Sequence, residues 1–149
     1  MPKISVSNIS QTKELAYKIA TDIMEYHEKF GTVVVAIDGE MGAGKTTFSC
    51  MVLEKIGEAR GKRIEGSSPT FSIINIHDDD VAHADLYRLK NAGELLNTGL
   101  LDIIEGGSII IIEWADMFKC ELAPYVTHRI YIEKDEGEGR RFFISIKGE

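Results

Sequence analysis

The stretch Thr-Val-Val-Val-Ala-Ile-Asp-Gly-Glu-Met-Gly-Ala-Gly-Lys-Thr, residues 32–46, decides the fold that we expect for this chain. Residues 32–37 form an uninterrupted apolar, β-branched run, typical of a strand covered on both faces in a parallel sheet. Residues 39–46 match G-x-x-x-x-G-K-[ST] at every fixed position. Apolar residues return at helical spacing over residues 45–56. This order of strand, glycine-rich turn and helix is the context that a phosphate-binding P-loop requires.

The loop itself predicts a nucleoside triphosphate site. Its glycines let successive backbone N–H groups turn inward toward phosphate oxygens, and the following helix adds its positive N-terminal end. Lys45 is expected to reach the β- and γ-phosphates, and the Thr46 hydroxyl to be a magnesium ligand. Thr47 is either an α-phosphate contact or simply a residue of the first helical turn. The predicted nucleotide-binding residues of the loop are Gly39, Glu40, Met41, Gly42, Ala43, Gly44, Lys45, Thr46 and Thr47.

Two carboxylates outside the loop are candidates for the remaining chemistry. Glu113 directly follows four isoleucines, where a carboxylate beside a buried strand needs a partner, and magnesium would be that partner, directly or through water. A glutamate that faces solvent at the end of the strand is the alternative. Asp85 ends a second predicted strand and is a candidate to orient the attacking water or to hold magnesium through water. Trp114, the only tryptophan, is expected near the site. Arg88 is either a phosphate contact or part of a surface ion pair.

A further loop, Ser68-Pro69-Thr70-Phe71, precedes a predicted strand. In P-loop proteins a segment facing the γ-phosphate often becomes ordered when the triphosphate is present. The hydroxyls of Ser68 and Thr70 are therefore candidates to sense that phosphate, with turn formation beside Pro69 as the alternative.

The remaining patterns predict an α/β domain with a mixed, mostly parallel central sheet, flanking helices and antiparallel additions. Residues 10–30 are expected to form an amphipathic helix capped by Ser10 or Asn8. Three adjacent aspartates, residues 78–80, indicate a solvated hairpin turn more than a metal site. The other predicted elements are strands at residues 71–76, 81–85, 108–112, 128–133 and 141–146, and helical segments at residues 92–97 and 100–105.

Length and composition limit the function classes. The 149 residues suit one domain, taken as residues 1–149, and their net charge of −7 argues against a protein whose main task is to grip nucleic acid. Cys50 and Cys120 have neither metal-ligand nor redox spacing, so we expect reduced thiols and a cytoplasmic protein. Neither a membrane-spanning segment nor a signal peptide is expected from the sequence.

The kind of P-loop protein is narrowed by elimination. The guanine motifs D-x-x-G and N-K-x-D do not occur in the sequence, which favours ATP. A small-molecule kinase remains the alternative on size, although the adjacent Arg140 and Arg141 begin a predicted strand, an unusual place for a lid. A third possibility is a nucleotide-gated binding module whose hydrolysis is incidental.

Together the motifs resemble the TsaE (YjeE) family of P-loop ATPases, which are required for the threonylcarbamoyladenosine modification of tRNA. The resemblance runs through Ser10-Gln11-Thr12, the P-loop with Thr47-Phe48, Ser68-Pro69-Thr70-Phe71, His83-Ala84-Asp85-Leu86-Tyr87-Arg88, Ile112-Glu113-Trp114 and a late arginine, Arg140 or Arg141. The loop departs mildly from the family, with Glu40 and Met41 where Asp and Leu are more usual.

The resemblance implies a slow ATPase that acts with two partner proteins, TsaB and TsaD, and meets tRNA only through that complex. It implies that Lys45, Asp85 and Glu113 are catalytic and that Thr46 and Glu113 hold Mg²⁺. Thr12 would lie near the adenine. The switch residues would be Ser68, Pro69, Thr70, Phe71, Arg88 and Trp114.

Overall fold

A computed structural model describes residues 2–64 and 73–148. In chain order its elements are β1 (Lys3–Val6), α1 (Ile9–Phe30), β2 (Val33–Gly39), α2 (Lys45–Ala59), β3 (Ile74–Asp78), β4 (Val81–Asp85), α3 (Ala92–Asn97), α4 (Leu100–Glu105), β5 (Ile109–Glu113), a 3-10 helix (Ala115–Phe118), α5 (Lys119–Leu122), β6 (His128–Lys134) and β7 (Arg140–Ile146).

The strands form one seven-stranded sheet in the order β1-β7-β6-β2-β5-β4-β3. The central neighbours β6, β2, β5 and β4 run parallel, whereas β3 pairs antiparallel with β4, and β7 pairs antiparallel with both β6 and β1. Parallel strands whose carboxyl ends meet at one edge place the residues that follow them side by side. The predicted mixed sheet with a parallel centre and antiparallel additions is confirmed.

Strand β2 is covered on both faces, as its apolar run predicts. Alternate residues of β2 belong to two different cores, because successive side chains of a strand point to opposite faces. Val33, Val35 and Ile37 pack with the apolar faces of α1 and α2. Val34 and Ala36 pack with residues of α3, α4 and α5 on the other side. Two layers of helix therefore hold the strand that leads into the P-loop.

Helix α1 begins at Ile9, and Asn8 is its N-cap, the second of the two predicted capping residues. The Asn8 side chain accepts a hydrogen bond from the backbone N–H of Gln11 at 2.9 Å, which satisfies one donor of the first turn. Leu15, Ile19 and Ile23 are buried on one face, at the spacing that predicted an amphipathic helix.

Asp79 and Asp80 form the predicted tight turn between β3 and β4, and Asp78 is the last residue of β3; Asp78 and Asp80 are paired with cations. Asp80 forms an ion pair with Arg60 and a hydrogen bond with His27, and Asp78 forms ion pairs with Arg60 and Lys62. Within residues 2–64 and 73–148, no group of three or more His, Cys, Asp or Glu side chains could hold a metal ion. The turn therefore ties the C-terminal end of α2 to the sheet.

Several short elements have no sequence prediction. Strand β1 buries only Val6 of its four residues, so it carries no alternating apolar pattern, and its place is set by pairing with β7. The 3-10 helix and α5 are each one turn long, which is too short for a helical period to register. Strand β3 begins at Ile74, three residues after its predicted start, and residues 71 and 72 lie outside the described residues.

Among the described residues, none of the helices is both long enough and apolar enough to cross a membrane. The two cysteines are free thiols, with Cys50 half-buried and Cys120 exposed. Burial raises the pKa of the Cys50 thiol to about 11, so this side chain stays protonated near neutral pH.

His128, the first residue of β6, makes folding sensitive to acid. Its side chain is buried against the Tyr26 ring, and burial lowers its pKa to about 4. Between pH 6.5 and 4 the unfolded chain therefore binds a proton that the folded chain does not. The contribution of His128 is fully present above pH 6.5 and is lost as the pH falls, which lowers the free energy of unfolding by up to about 3 kcal/mol.

We expect urea unfolding at pH 7 and pH 5 to reveal this loss in the native sequence. The variant His128→Asn keeps a polar group near Thr127 but cannot titrate, so its stability should fall less between the two pH values. An equal fall in both proteins would contradict the assignment to His128.

Candidate nucleotide-binding site

The P-loop connects β2 to α2 and turns where only glycine fits. A Cβ atom at Gly39 would lie 2.4 Å from the carbonyl oxygen of Ile132 on the neighbouring strand, which no side chain could tolerate. Gly44, at the N-cap of α2, has φ of +102°, in the left-handed region that favours glycine. The loop is therefore pressed against the sheet while its backbone curls at the start of α2.

Lys45 lies inside the loop and not in open solvent. Its side chain is 5% exposed, and Nζ donates hydrogen bonds to the carbonyl oxygens of Gly39 at 2.7 Å and Glu40 at 2.9 Å. The ammonium also lies 4.0 Å from the centroid of the Trp114 ring. Burial lowers the pKa of Lys45, and the charge of Glu113 opposes that shift. The loop thus holds a positive charge at a fixed position.

A cavity of about 340 Å³ opens above this ammonium. The residues that line it come from the loop, the first turn of α2 and the end of β5: Met41, Gly42, Gly44, Lys45, Thr46, Thr47, Glu113 and Trp114. Backbone N–H groups at a helix start, a lysine and three oxygen-bearing side chains therefore face one space, an arrangement suited to a polyphosphate.

Glu113 is the most buried carboxylate of the site, with 1% exposure, and each of its oxygens has a partner. The Thr46 hydroxyl donates a hydrogen bond to Oε1 at 2.7 Å. The imidazole Nε2 of His83, on β4, is in hydrogen-bond contact with Oε2. Thr46 and Glu113 are 67 positions apart in the sequence, and the parallel pairing of β2 with β5 brings them together.

Asp85 lies beside Glu113 because β4 and β5 pair in parallel register with these two residues opposite each other. The Asp85 carboxylate is half-buried and accepts a hydrogen bond from the backbone N–H of Tyr87 at 3.0 Å. The backbone N–H of Leu86, the residue directly after Asp85, donates to the carbonyl oxygen of Glu113 at 3.1 Å. The two carboxylates that the sequence singled out therefore share the carboxyl-end edge of the sheet.

Trp114 turns the chain away from β5 with φ of +59°, an uncommon backbone conformation for a side chain of this size. The backbone N–H of Trp114 donates to the carbonyl oxygen of Ile37 at 3.2 Å. The indole ring packs against Tyr87 with 4.8 Å between centroids. Asp38, whose carboxyl pKa is raised by burial, accepts from the Asp116 N–H at 2.9 Å. The indole is thus fixed between Lys45 and an aromatic side chain that is half exposed.

Thr12 belongs to a second cavity of about 190 Å³ on the other side of the loop. Thr12 is buried, and its hydroxyl donates to the Asn8 carbonyl oxygen at 3.3 Å. The lining joins α1, the loop and the β6–β7 hairpin through Ile9, Thr12, Ala43, Gly44, Thr47, Glu138, Arg140 and Phe142. This cavity shares Gly44 and Thr47 with the first one, and the expected place of Thr12 near the adenine stays a prediction.

The remaining predicted site residues are more peripheral. Arg88 is exposed, three positions after Asp85. Ser68, Pro69, Thr70 and Phe71, the predicted switch loop, lie outside the described residues.

Three contacts at the site are not predicted by the sequence. Arg140 donates through Nε to the Ala43 carbonyl oxygen at 2.8 Å, and Glu138 accepts from the Ile9 N–H at 3.2 Å. The position of Arg140 at the head of the last strand was a signal, although it could not be told from Arg141. The third contact joins His83 to Glu113. The sequence marks His83 only as the first residue of the motif that ends at Arg88, and nothing in it marks Glu138.

The donors that converge here suit a magnesium-bound triphosphate. Mg²⁺ prefers hard oxygen ligands and is usually held by one or two protein oxygens together with substrate phosphates. The hydroxyl of Thr46 and the carboxylate of Glu113 offer oxygens of this kind, within hydrogen-bond distance of each other. The neighbouring lysine and the α2 N-terminus supply complementary charge for the phosphates.

Comparison with known proteins gives a consistent family. Residues 6–142 match the family model described as "Threonylcarbamoyl adenosine biosynthesis protein TsaE". Proteins named "tRNA threonylcarbamoyladenosine biosynthesis protein TsaE" are similar to this chain: that of Rickettsia felis is 30% identical over 80% of this chain and 66% of its own length. That of Bacillus subtilis is 32% identical over 77% of this chain and 70% of its own.

The chain spans about two thirds of the length of these relatives, and only 62% in the case of the Rickettsia typhi protein. Among solved structures, the one described as "Crystal structure of Bacillus subtilus YdiB" superposes with a TM-score of 0.62. It covers 97% of this chain and 85% of its own, at 23% identity, so the likeness establishes the fold.

The contact between Thr46 and Glu113 makes a prediction about stability. In Thr46→Val the shape of the side chain is kept but Oε1 of a buried carboxylate loses its donor, which should cost about 1 to 3 kcal/mol in the free energy of unfolding. Thr47→Val, at the exposed neighbouring position, should change stability by less than about 0.5 kcal/mol. Urea unfolding of both variants without nucleotide measures the difference, and equal stabilities would refute the contact.

Proposed function

Because the chain belongs to the TsaE family of tRNA threonylcarbamoyladenosine biosynthesis proteins, we propose that it is a magnesium-dependent ATPase that serves this modification as an accessory protein. The observation that carries the proposal is the convergence of Lys45, the Thr46–Glu113 pair and Asp85 at one edge of the sheet. By this proposal it hydrolyses ATP slowly alone and faster in complex with TsaB and TsaD, which carry out the transfer chemistry and contact the tRNA.

Phosphate binding is assigned to the loop and Lys45. The ammonium already lies on the inner side of the loop, bonded to two backbone carbonyl oxygens, so little side-chain entropy remains to be lost when it meets the β- and γ-phosphates. The backbone N–H groups of residues 42–47 and the start of α2 would complete the cradle.

Thr46 and Glu113 would hold Mg²⁺, which supplies charge neutralisation for the leaving and transferred phosphates. Asp85, which lies beside Glu113 and is only half-buried, would accept a hydrogen bond from the attacking water and take its proton. The alternative, that Asp85 holds the cation through water, uses the same position.

The cavity around Thr12 is the proposed site of the base. Ile9 and Phe142 offer apolar surface, and Thr12, Glu138 and the loop backbone offer polar groups. Neither guanine motif occurs in the sequence, so we assign adenine.

A series of side-chain contacts from the surface to Lys45 supports stimulation of ATP hydrolysis by a partner protein. Tyr87 is 51% exposed and packs on Trp114, and the Trp114 ring lies on the Lys45 ammonium. A partner that covers Tyr87 would therefore act on the site through two contacts. The net charge of −7 also suits a protein that reaches tRNA through others.

ATP turnover with and without the TsaB–TsaD pair tests the proposal. We expect slow phosphate release from the chain alone and a clear increase with the pair. The absence of stimulation, together with full tRNA modification by the pair alone, would refute it. Transfer of labelled phosphate to a metabolite instead of water would favour a small-molecule kinase.

The variant Asp85→Asn separates hydrolysis from binding. Loss of a general base typically costs a factor of about 10² to 10⁴ in rate. Stimulated turnover should fall by that order while ATP affinity stays near that of the native sequence. If the variant binds ATP and still supports modification, hydrolysis is incidental and the chain is a nucleotide-gated binding module.

Lys45→Ala should lose most of its triphosphate affinity, because charge-assisted hydrogen bonds to phosphate oxygens are among the strongest in proteins. Lys55→Ala, on the same helix but away from the cavity, is the matched control and should bind as the native sequence does. Calorimetric titration with Mg-ATP measures both. Unchanged affinity in Lys45→Ala would remove the phosphate-binding role.

A further inference from the structure

His83 is fully buried on β4 and contacts Glu113, yet the proposed ATPase mechanism gives it no task. Its strand pairing places it opposite Asn75 on one side and Ile111 on the other. The imidazole Nε2 reaches Oε2 of Glu113, on the side of the carboxylate away from Thr46. The result is a continuous chain of three side chains, from His83 through Glu113 to Thr46.

This contact fixes the orientation of a side chain that is otherwise free to rotate. The terminal torsion of glutamate is broad, so a carboxylate keeps one orientation only when neighbouring groups hold it. Oε1 accepts from the Thr46 hydroxyl, and by the proposed function this same oxygen would also bind the cation, so its surroundings change when the metal enters. The contact of His83 with Oε2 involves no metal ligand other than Glu113 and would hold the carboxylate while Oε1 faces the cation.

The surroundings of the two ring nitrogens are consistent with a donor role for Nε2. Nδ1 of His83 is buried and has no hydrogen-bond partner among the described residues. A donor N–H left there would be an uncompensated buried group, whereas a bare nitrogen costs less. The tautomer with its proton on Nε2 therefore leaves no unpaired N–H at Nδ1, and its Nε2–H donates to Glu113.

We propose that His83 is a positioning residue that aims Glu113 at the cation and thereby sets the affinity of the site for Mg²⁺. The proposal rests on the proposed function, because it assumes that Thr46 and Glu113 hold the metal. Partners that orient a metal ligand in this way typically contribute a factor of about 10 to 100 in metal affinity.

Simple packing is the competing explanation. The ring of His77 stacks near that of His83 with 6.5 Å between centroids, so the pair could merely fill space between β3 and β4. Packing depends on the volume of the ring, whereas positioning depends on a donor at the place of Nε2. Variants that both remove the ring but place the amide donor at a different distance from the backbone separate the two.

Glutamine and asparagine provide that pair. The amide nitrogen of His83→Gln can occupy the place of Nε2 and donate to Glu113, whereas that of His83→Asn reaches only as far as Nδ1. Both variants lose the ring and keep a polar amide. His77→Asn removes the neighbouring ring, which has no contact with Glu113 among those the structure describes, and controls for packing in the cluster.

The measurement is calorimetric affinity for a non-hydrolysable ATP analogue, once with Mg²⁺ and once with EDTA. The ratio of the two dissociation constants reports the metal alone and needs no turnover. We expect His83→Asn to lose about 10- to 100-fold in this ratio. His83→Gln and His77→Asn should keep most of it, and affinity in EDTA should match in all four proteins.

Each outcome bears on a different claim. If the native sequence gains no affinity from Mg²⁺, the magnesium site of the proposed function fails, and this inference with it. If the native sequence gains affinity and His83→Asn gains as much, the magnesium site stands and the positioning role is refuted. If His83→Gln loses as much as His83→Asn while thermal unfolding shows all variants folded, packing is the explanation and the positioning role is refuted as well.

Discussion

A buried carboxylate at the end of β5 is the constraint on which the site depends. Glu113 cannot be left without partners at 1% exposure, since an uncompensated buried charge is among the most unfavourable features a fold can contain. The sheet satisfies it from both sides, with His83 on β4 and Thr46 at the start of α2. The strand order β2-β5-β4 thus brings the hydroxyl of Thr46 and the imidazole of His83 into contact with the carboxylate of Glu113.

Elements with strong local patterns could be predicted from the sequence, and those set by long-range pairing could not. The apolar runs of β2 and β5 and the spacing of α1 each carry their own signal, because burial on defined faces selects the residues. Strand β1 forms by pairing with the edge strand β7, and its four residues carry no local pattern that predicts this pairing. One-turn elements such as α5 likewise lack a period.

The same division applies to the site. The loop residues and Glu113 follow from local motifs, and the structure brings Thr46, Lys45, Asp85 and Glu113 together at one edge. The contacts that hold them came from elsewhere in the chain: Arg140 reaches the loop from 97 positions away, and His83 lies 30 positions before its partner. A motif specifies which groups are needed, whereas the hydrogen bonds that orient them depend on strand order.

The edge pairing of β1 with β7 has a mechanical consequence. Lys3 lies opposite Phe143 and Val6 opposite Arg140, so tension applied at residues 3 and 146 would open the two antiparallel strands one hydrogen bond at a time, as a zipper opens. Unzipped strands yield at much lower force than strands sheared lengthwise, where all bonds share the load. The last pair to separate contains Arg140, which donates to Ala43 of the P-loop. Separation of β1 from β7 would thus reach the residue that contacts the loop last.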